Sequence, residues 1–289
     1  MWYSACHEAS PRSKHITMDD MHAVRICSAQ IASVWDDPDK TLKKAAFFIR
    51  HAAQSGAALI CFPEQFTTGW DPGSTSHSEK LDGHIVSHLR DMAQENHIAI
   101  LGSFRERRDP ATPPHNTAMV IDENDRTLTP YSKIHLFSPG GENNTFSPGS
   151  ELGIFRLGSL TCGIAICYDL RFPELFRLYA HTGVEAMFIP AAWPAARMSH
   201  WDLFITARAC ENQMYVTGIN TTGITPVDTY SGGSMTADPT GSVISRAGQA
   251  EQLLFCDLDP DVIRTARTSF PVAKDCRPDL YSALSGRDR

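Results

Sequence analysis

Nowhere in its 289 residues does the sequence approach the roughly 18 consecutive apolar residues that a membrane-spanning helix needs. Positive charge is also in short supply. Lys and Arg number 26 against 33 Asp and Glu, which leaves a net charge of −7. A nucleic-acid partner is therefore not expected, because phosphate binding needs a basic surface. No CxxC pair, zinc-type Cys/His spacing or HExxH occurs despite the 12 His, so no metal site is expected. The glycine-rich stretches SGG (231–233) and SPGGE (138–142) lack the GxGxxG and GxxxxGKS/T patterns that cradle nucleotide phosphates. Gly (19) and Pro (18) are ordinary in number, which excludes collagen-like and low-complexity chains.

A hydrophobic share of 42% with 20% charged residues supports a folded core, so wholesale disorder is excluded. Eight cysteines are present, at positions 6, 27, 61, 162, 167, 210, 256 and 276. Several lie in apolar runs, such as ALICF around Cys61 and LLFCDL around Cys256. They read as small buried hydrophobes in a reducing compartment, and a cytoplasmic protein is expected.

Residues 1–22 are polar and patternless and contain Met1, Met18 and Met21. They are expected to be a disordered leader or to precede the true start. From residue 23 the pattern becomes regular. Residues 23–32 alternate like a strand, and 37–57 have an acidic start, helical apolar spacing and a Gly stop. ALICF (58–62) is a strand buried on both faces. A helix over 84–97, a strand over 98–104 and two strands around a DENDR turn (115–133) follow. The second half repeats the style without an evident sequence repeat. Strands are expected within 153–167 and at 186–190, 214–220, 231–248 and 251–259, with helices at 173–183, 199–213 and 259–270, before a Pro-containing tail. Strands and helices alternate without a linker, which predicts one α/β domain over 23–289 with helices outside the sheets.

Three reactive side chains stand at the ends of buried strands: Glu64 in ALICFPEQFTTGW, Lys133 in PYSKIHLF and Cys167 in TCGIAICYDLRFPELF. Each alone reads as well as a loop acid, a snorkelling lysine or a structural thiol. Together they make a chemical set. A thiol reacts as thiolate, a lysine ammonium nearby lowers its pKa, and a carboxylate can take its proton. A Cys–His pair is the alternative that the many histidines leave open.

The segments FPEQFTTG, YSKIHLF and GIAICYDLRFPELFR, in this order and spacing, resemble the Glu, Lys and Cys motifs of the nitrilase superfamily of carbon–nitrogen hydrolases. The resemblance runs from about residue 23 to Tyr281. It implies an αββα four-layer sandwich and subunits paired through helices into a homodimer or higher homo-oligomer. It makes Cys167 the nucleophile, Glu64 the general base and Lys133 the electrostatic stabiliser. Lys133 and the backbone N–H of Tyr168 would form the oxyanion hole, and Glu142 in GGENNTF would orient the lysine. No metal or organic cofactor is implied.

The residues after the nucleophile, Cys167-Tyr168-Asp169, have the amidase-like form rather than the Cys-Trp-Glu of true nitrilases. CYDLRFPE with the following AAWPAARMSHW resembles omega-amidases, which act on the terminal amide of dicarboxylate monoamides. By that likeness the partner is a small amide, Arg171 binds its distal carboxylate, and Trp193 and Trp70 form pocket walls. Arg197 is a second anion partner at a position where many relatives carry a smaller polar residue. Trp70 is bulky enough to narrow the site toward small aliphatic amides. A broad aliphatic amidase, a deaminated-glutathione amidase, a nitrilase, an acyl transferase and a silent binding module are the alternatives. His200 and Trp201 read as helix packing.

Overall fold

The run ALICF becomes β2 (Leu59–Cys61), and its alternate residues face opposite ways. Leu59 and Cys61 enter one apolar cluster, and Ile60 and Phe62 enter another. Side chains alternate across a strand, so a continuous apolar run needs a partner layer on each face. The computed structural model, which describes residues 23–123 and 127–285, supplies both layers. Residues 1–22, Cys6 among them, and 124–126 of the expected DENDR turn lie outside the described residues.

The first sheet has six strands in the order β14-β1-β2-β3-β4-β5. These are β1 (Val24–Gln30), β2, β3 (Ala99–Glu106), β4 (His115–Ile121), β5 (Thr127–Ser132) and β14 (Gln252–Leu258). The second has the order β13-β12-β9-β8-β7-β6. Its strands are β6 (Gly153–Leu157), β7 (Leu160–Ile164), β8 (Ala186–Ala191), β9 (Tyr215–Asn220), β12 (Met235–Ala237) and β13 (Val243–Arg246). Both sheets have the same pairing pattern. In each, three neighbouring strands are parallel (β1, β2, β3 and β7, β8, β9), with one antiparallel strand on one side and two on the other. The similarity of style between the two halves thus has a structural basis.

Helices α1 (Pro38–Gln54) and α2 (His84–Asn96) cover the outer face of the first sheet through Leu42, Ile49, Val86 and Leu89. The acidic start of α1 acts as expected: Asp37 accepts the N–H of Lys40 at 3.0 Å, and Pro38 opens the helix. Helices α3 (Pro173–His181) and α4 (Met198–Asn212) cover the second sheet. Between the sheets, Ile26, Leu59, Leu101 and Val120 pack with Phe155, Cys162, Ile164 and Phe188. The result is the expected αββα sandwich. Among the described residues no helix is long and apolar enough to cross a membrane.

Three details differ from the sequence-based expectation. A small hairpin, β10 (Thr222–Ile224) and β11 (Thr229–Ser231), intervenes between β9 and β12. Its strands are too short to show periodicity. Beyond α5 (Pro260–Ser269), the Pro-containing tail is helical over α6 (Pro278–Ser285), with Pro at the first helical position where it costs no hydrogen bond. Cys256 lies on β14, the edge strand of its sheet, and is only half-buried, unlike Cys27, Cys61, Cys162 and Cys167.

Close packing of α4 on β9 depends on Gly218. A Cβ there would lie 2.4 Å from Trp201 Cζ2 and 2.5 Å from Ile205 Cδ1. Overpacking of this kind costs about 1–3 kcal/mol. Gly218→Ala is therefore expected to lower the Tm by roughly 3–10 °C in thermal unfolding, and an unchanged Tm would mean that α4 shifts freely.

Candidate active site

The candidate side chains leave the ends of strands in both sheets. β2 runs through Phe62 and Pro63 to Glu64, and the next residue, Gln65, adopts a left-handed φ of +46°. β7 runs through Ala165 and Ile166 to Cys167, itself at φ +44°, which opens a 3-10 turn over Cys167–Arg171. Left-handed conformations of side-chain-bearing residues cost about 1–3 kcal/mol and persist only where the surroundings impose them. Here they turn two buried strands sharply, so that each projects its last side chain across the gap between sheets. Lys133 follows β5 and continues its pairing. Its N–H donates to Asn116 O, and its own carbonyl accepts the N–H of Gly149, both at 2.9 Å. Only glycine fits at 149, because a Cβ would meet the Ser132 carbonyl oxygen at 2.1 Å.

These segments bring Glu64, Lys133, Glu142 and Cys167 together. The first three are at most 2% exposed and Cys167 is 8% exposed. Lys133 Nζ donates to Glu64 Oε1 at 2.7 Å and to Glu142 Oε2 at 2.8 Å. The two carboxylates are also joined through Asn116, whose Nδ2 donates to Glu64 Oε1 at 2.7 Å and to Glu142 Oε1 at 2.9 Å. Backbone N–H groups complete the shell: Ala192 donates to Glu64 Oε2 at 3.1 Å, and Phe137 donates to Glu142 Oε2 at 2.7 Å. Buried charges require such pairing, since an unpaired one costs several kcal/mol.

Two carboxylates share one ammonium, and they do not share it equally. Burial pushes Glu64 up from the ordinary 4.5; Lys133 offsets this only in part, and the negative Glu142 adds to it. Burial acts on Glu142 in the same sense, but Lys133 and the donors Phe137 and Asn116 outweigh it and hold this group below its ordinary value. Burial would weaken the Lys133 ammonium, yet the two carboxylates raise its pKa, so it stays protonated. The arrangement therefore has a permanent cation, a permanent anion in Glu142, and a more basic carboxylate in Glu64.

The thiol departs from expectation. A neighbouring ammonium was expected to depress its pKa. Burial and the charge of Glu64 instead raise Cys167 well above the ordinary 9.0, with Lys133 only partly opposing. Cys167 is held as a thiol beside a carboxylate able to take its proton. Cys167 and Tyr168 are the first residues of their 3-10 turn, where backbone N–H groups lack an acceptor one turn back and are free to face an oxyanion.

Cys167 opens into a cavity of about 30 Å³. Tyr168, Arg171, Trp193, Trp70 and Arg197 all line it. Among the described residues Arg171 forms no salt bridge. Its guanidinium lies 4.8 Å from the Trp193 ring and 5.3 Å from Phe204. His200 is exposed and places Nδ1 3.4 Å from Arg171, so it borders the site and is not helix packing alone. Trp201 is packing as expected, with Nε1 donating to Gly233 O at 2.9 Å.

Four structural contributors were not found from sequence. Asn116 is one; its signal was an amide inside the buried run HNTAMVI. Asp169 is a second. Its fully buried carboxylate accepts Tyr131 Oη at 2.7 Å, the N–H of Ile166 at 2.9 Å, and His135 N–H and Nδ1 at 2.9 and 2.8 Å. It thereby ties the Cys167 turn to the Lys133 loop. Arg105, a cation within the buried strand β3, is a third. Its guanidinium donates to Gln65 Oε1, Ser74 Oγ, Ser76 O and Gly69 O at 2.9–3.1 Å, which clamps the loop between Glu64 and the second helix. Asp228, on the unforeseen hairpin, also lines the cavity.

The sequence matches the carbon-nitrogen hydrolase family over residues 25–268. It is 35% identical over 246 residues to the 2-oxoglutaramate amidase of Bacillus subtilis (strain 168), covering 84% of this chain and 94% of that protein. It is 30% identical to the human deaminated glutathione amidase, with 96% and 90% covered. Among solved structures it resembles a glutamate-to-glutamine mutant of an amidase from Nesterenkonia sp. AN1, with a TM-score of 0.81 and 25% identity. That likeness covers 93% of this chain and 99% of the other, in which the acetamide moiety of fluoroacetamide is covalently added at the active-site cysteine.

Asn116 bonds the charged forms of two buried carboxylates, so its contribution exists only while they are ionised. Asn116→Leu is expected to destabilise the fold by about 2–4 kcal/mol at pH 7, with a smaller loss at pH 4, where Glu64, whose pKa is raised, is protonated and only Glu142 still needs the donor as an anion. Denaturant titrations of both proteins at the two pH values measure the difference. An equal loss at both would mean that Asn116 acts through packing.

Proposed function

The chain belongs to the carbon–nitrogen hydrolase family, and from that premise we propose that it is an amidase opening small linear amides through a Cys167 thioester, with omega-monoamides of dicarboxylic acids as its substrate class. The observation that carries this reading is the buried Glu64–Lys133–Glu142 cluster placed against Cys167 at a cavity bearing an unpaired guanidinium, that of Arg171.

Glu64 takes the thiol proton as Cys167 attacks the amide carbon, which is the step its raised basicity suits. The oxyanion forms opposite the Lys133 ammonium and the Tyr168 N–H, each such donor contributing about 3–4 kcal/mol to the transition state. Glu142 keeps Lys133 charged and aimed while Glu64 cycles through its protonated form. Glu64 returns the proton to the amide nitrogen, the C–N bond breaks and ammonia leaves, with a thioester on Cys167. Water, deprotonated by Glu64, then attacks the thioester and releases the carboxylic acid and the thiol.

Selectivity for an omega-amidic acid rests on Arg171, which is held flat by aromatic rings with its N–H fork uncommitted to any carboxylate. The 2-oxoglutaramate amidase relative supports the same class. A small cavity walled by Trp70, Phe137, Tyr168 and Trp193 favours short acyl chains. The same aromatic wall supports a second reading, a broad aliphatic amidase. Leu178 on α3 and Leu203 on α4 are 55% and 60% exposed, and these helices pack side by side. This supports pairing of subunits through the α3–α4 face, which light scattering on the purified protein tests. Seven unpaired cysteines among the described residues support a reducing, cytoplasmic setting.

Ammonia release from succinamate, propionamide and a short nitrile, with Cys167→Ala as the blank, tests the reading. Succinamate is expected to be preferred, and Cys167→Ala to be inert but folded. Arg171→Ala is expected to lower kcat/KM for succinamate roughly 10- to 100-fold more than for propionamide, the worth of a charge-assisted pair. Equal losses would return Arg171 to a structural role. The acidic limb of kcat/KM is expected at a midpoint above 4.5, because Glu64 must be ionised and its pKa is raised; a midpoint below that value would exclude Glu64 as the base.

A further inference from the structure

The cavity holds a charged side chain that neither the hydrolytic steps nor the carboxylate clamp uses. Asp228 lines it together with Arg171 and Arg197. Among the described residues, none of the three enters an ion pair within 4.0 Å. Arg197 rests over the Phe137 ring at 5.6 Å and lies close enough to Arg171 for its charge to disfavour that of Arg171. Two guanidiniums and one carboxylate thus share a small cavity without neutralising one another.

The position of Asp228 is imposed by local structure. Thr225 Oγ1 accepts the N–H groups of Val227 and Asp228 at 3.2 and 3.1 Å, and the Thr225 N–H donates to Asp228 O at 3.0 Å. This closes the β10–β11 turn. Tyr230, two residues on, is buried and packs with Trp70 and Ala192. Ala192 is the residue whose N–H holds Glu64. The hairpin is therefore seated on the catalytic floor, and its turn presents a carboxylate to the cavity. One Asp228 oxygen accepts the Thr229 N–H at 2.8 Å, and among the described residues no side chain donates to the carboxylate.

We infer that the site is built for omega-amides whose far end carries both a carboxylate and a hydrogen-donating α-substituent, an α-ammonium above all: the carboxylate on Arg171 and Arg197, the ammonium on Asp228. The inference rests on the omega-amidic acid reading and sharpens it. A zwitterionic head satisfies all three charged groups at once. An α-oxo group offers only lone pairs, which would face the lone pairs of Asp228. An unsubstituted methylene would strip water from the carboxylate and replace it with nothing. Sites built to bond a donor reject the analogue that lacks it far more strongly than apolar pockets reject a change of size.

The test uses a matched four-carbon series that differs only at the α-carbon: L-asparagine, 2-oxosuccinamate and succinamate. The wild-type protein is expected to show a higher kcat/KM for L-asparagine than for 2-oxosuccinamate. In Asp228→Asn and Asp228→Ala that ratio is expected to fall at least about 10-fold, the low end for losing a charge-assisted hydrogen bond. Calorimetry in the Cys167→Ala background reads the same discrimination without turnover, as weaker L-asparagine binding when Asp228→Asn is added. A ratio that favours the oxo acid in the wild-type protein, or one that moves less than twofold in both variants, overturns the inference. Preference for succinamate over propionamide in the same assays decides the omega-amidic acid reading separately. Should that preference be absent, β-alaninamide against butyramide still reports on Asp228, because only the former carries an ammonium.

Discussion

Everything around the site depends on one buried ammonium held between two buried carboxylates. Lys133, Glu64 and Glu142 carry a net negative charge on side chains that are at most 2% exposed. Removing such groups from water costs several kcal/mol per ion, and mutual attraction offsets this only when the remaining hydrogen-bonding positions are filled. Asn116, Ala192 and Phe137 fill them. Each comes from a different part of the chain, so the cluster forms only when both sheets have docked.

This constraint explains why so much of the surrounding structure consists of ties between loops. Asp169 joins the Cys167 turn to the Lys133 loop, and Arg105 clamps the segment after Glu64. Both are fully buried ions with several partners. Left-handed residues at Gln65 and Cys167 need this support, because their conformations are unfavourable on their own. The strain is localised where two strand ends must turn toward a common point.

On the proposed reading, chemistry and recognition occupy separate shells. The shell that binds protons and the thiol is closed, fully paired and made of groups whose pKa values are pushed apart: Glu142 down, Glu64 and Cys167 up. The cavity wall is the opposite. Its charged groups Arg171, Arg197 and Asp228 have no ion-pair partner among the described residues and are backed by aromatic rings and a hairpin turn. A closed shell suits a reaction common to many amides, and an open one leaves the choice among them to a few residues.

The architecture was legible in the sequence wherever one periodic signal decided it. Apolar runs such as ALICF, amphipathic segments such as residues 38–54, and Gly or Pro punctuation follow from side-chain alternation and local backbone preferences. Glu64, Lys133 and Cys167 were legible because each ends a buried strand, within motifs resembling those of a known family. Asn116, Asp169, Arg105 and Asp228 were not, because nothing local distinguishes a polar residue that satisfies a distant charge from one that faces water. Which carboxylate is the more basic, whether the thiol is charged, and which arginine stays unpaired depend on burial and on partners up to 128 residues away, as between Glu64 and Ala192. Local preferences and alternation are properties of neighbouring residues, so the sequence by itself determined the elements and the reactive set; electrostatics acts through space, so only the tertiary structure decided their charges and the shape of what they can bind.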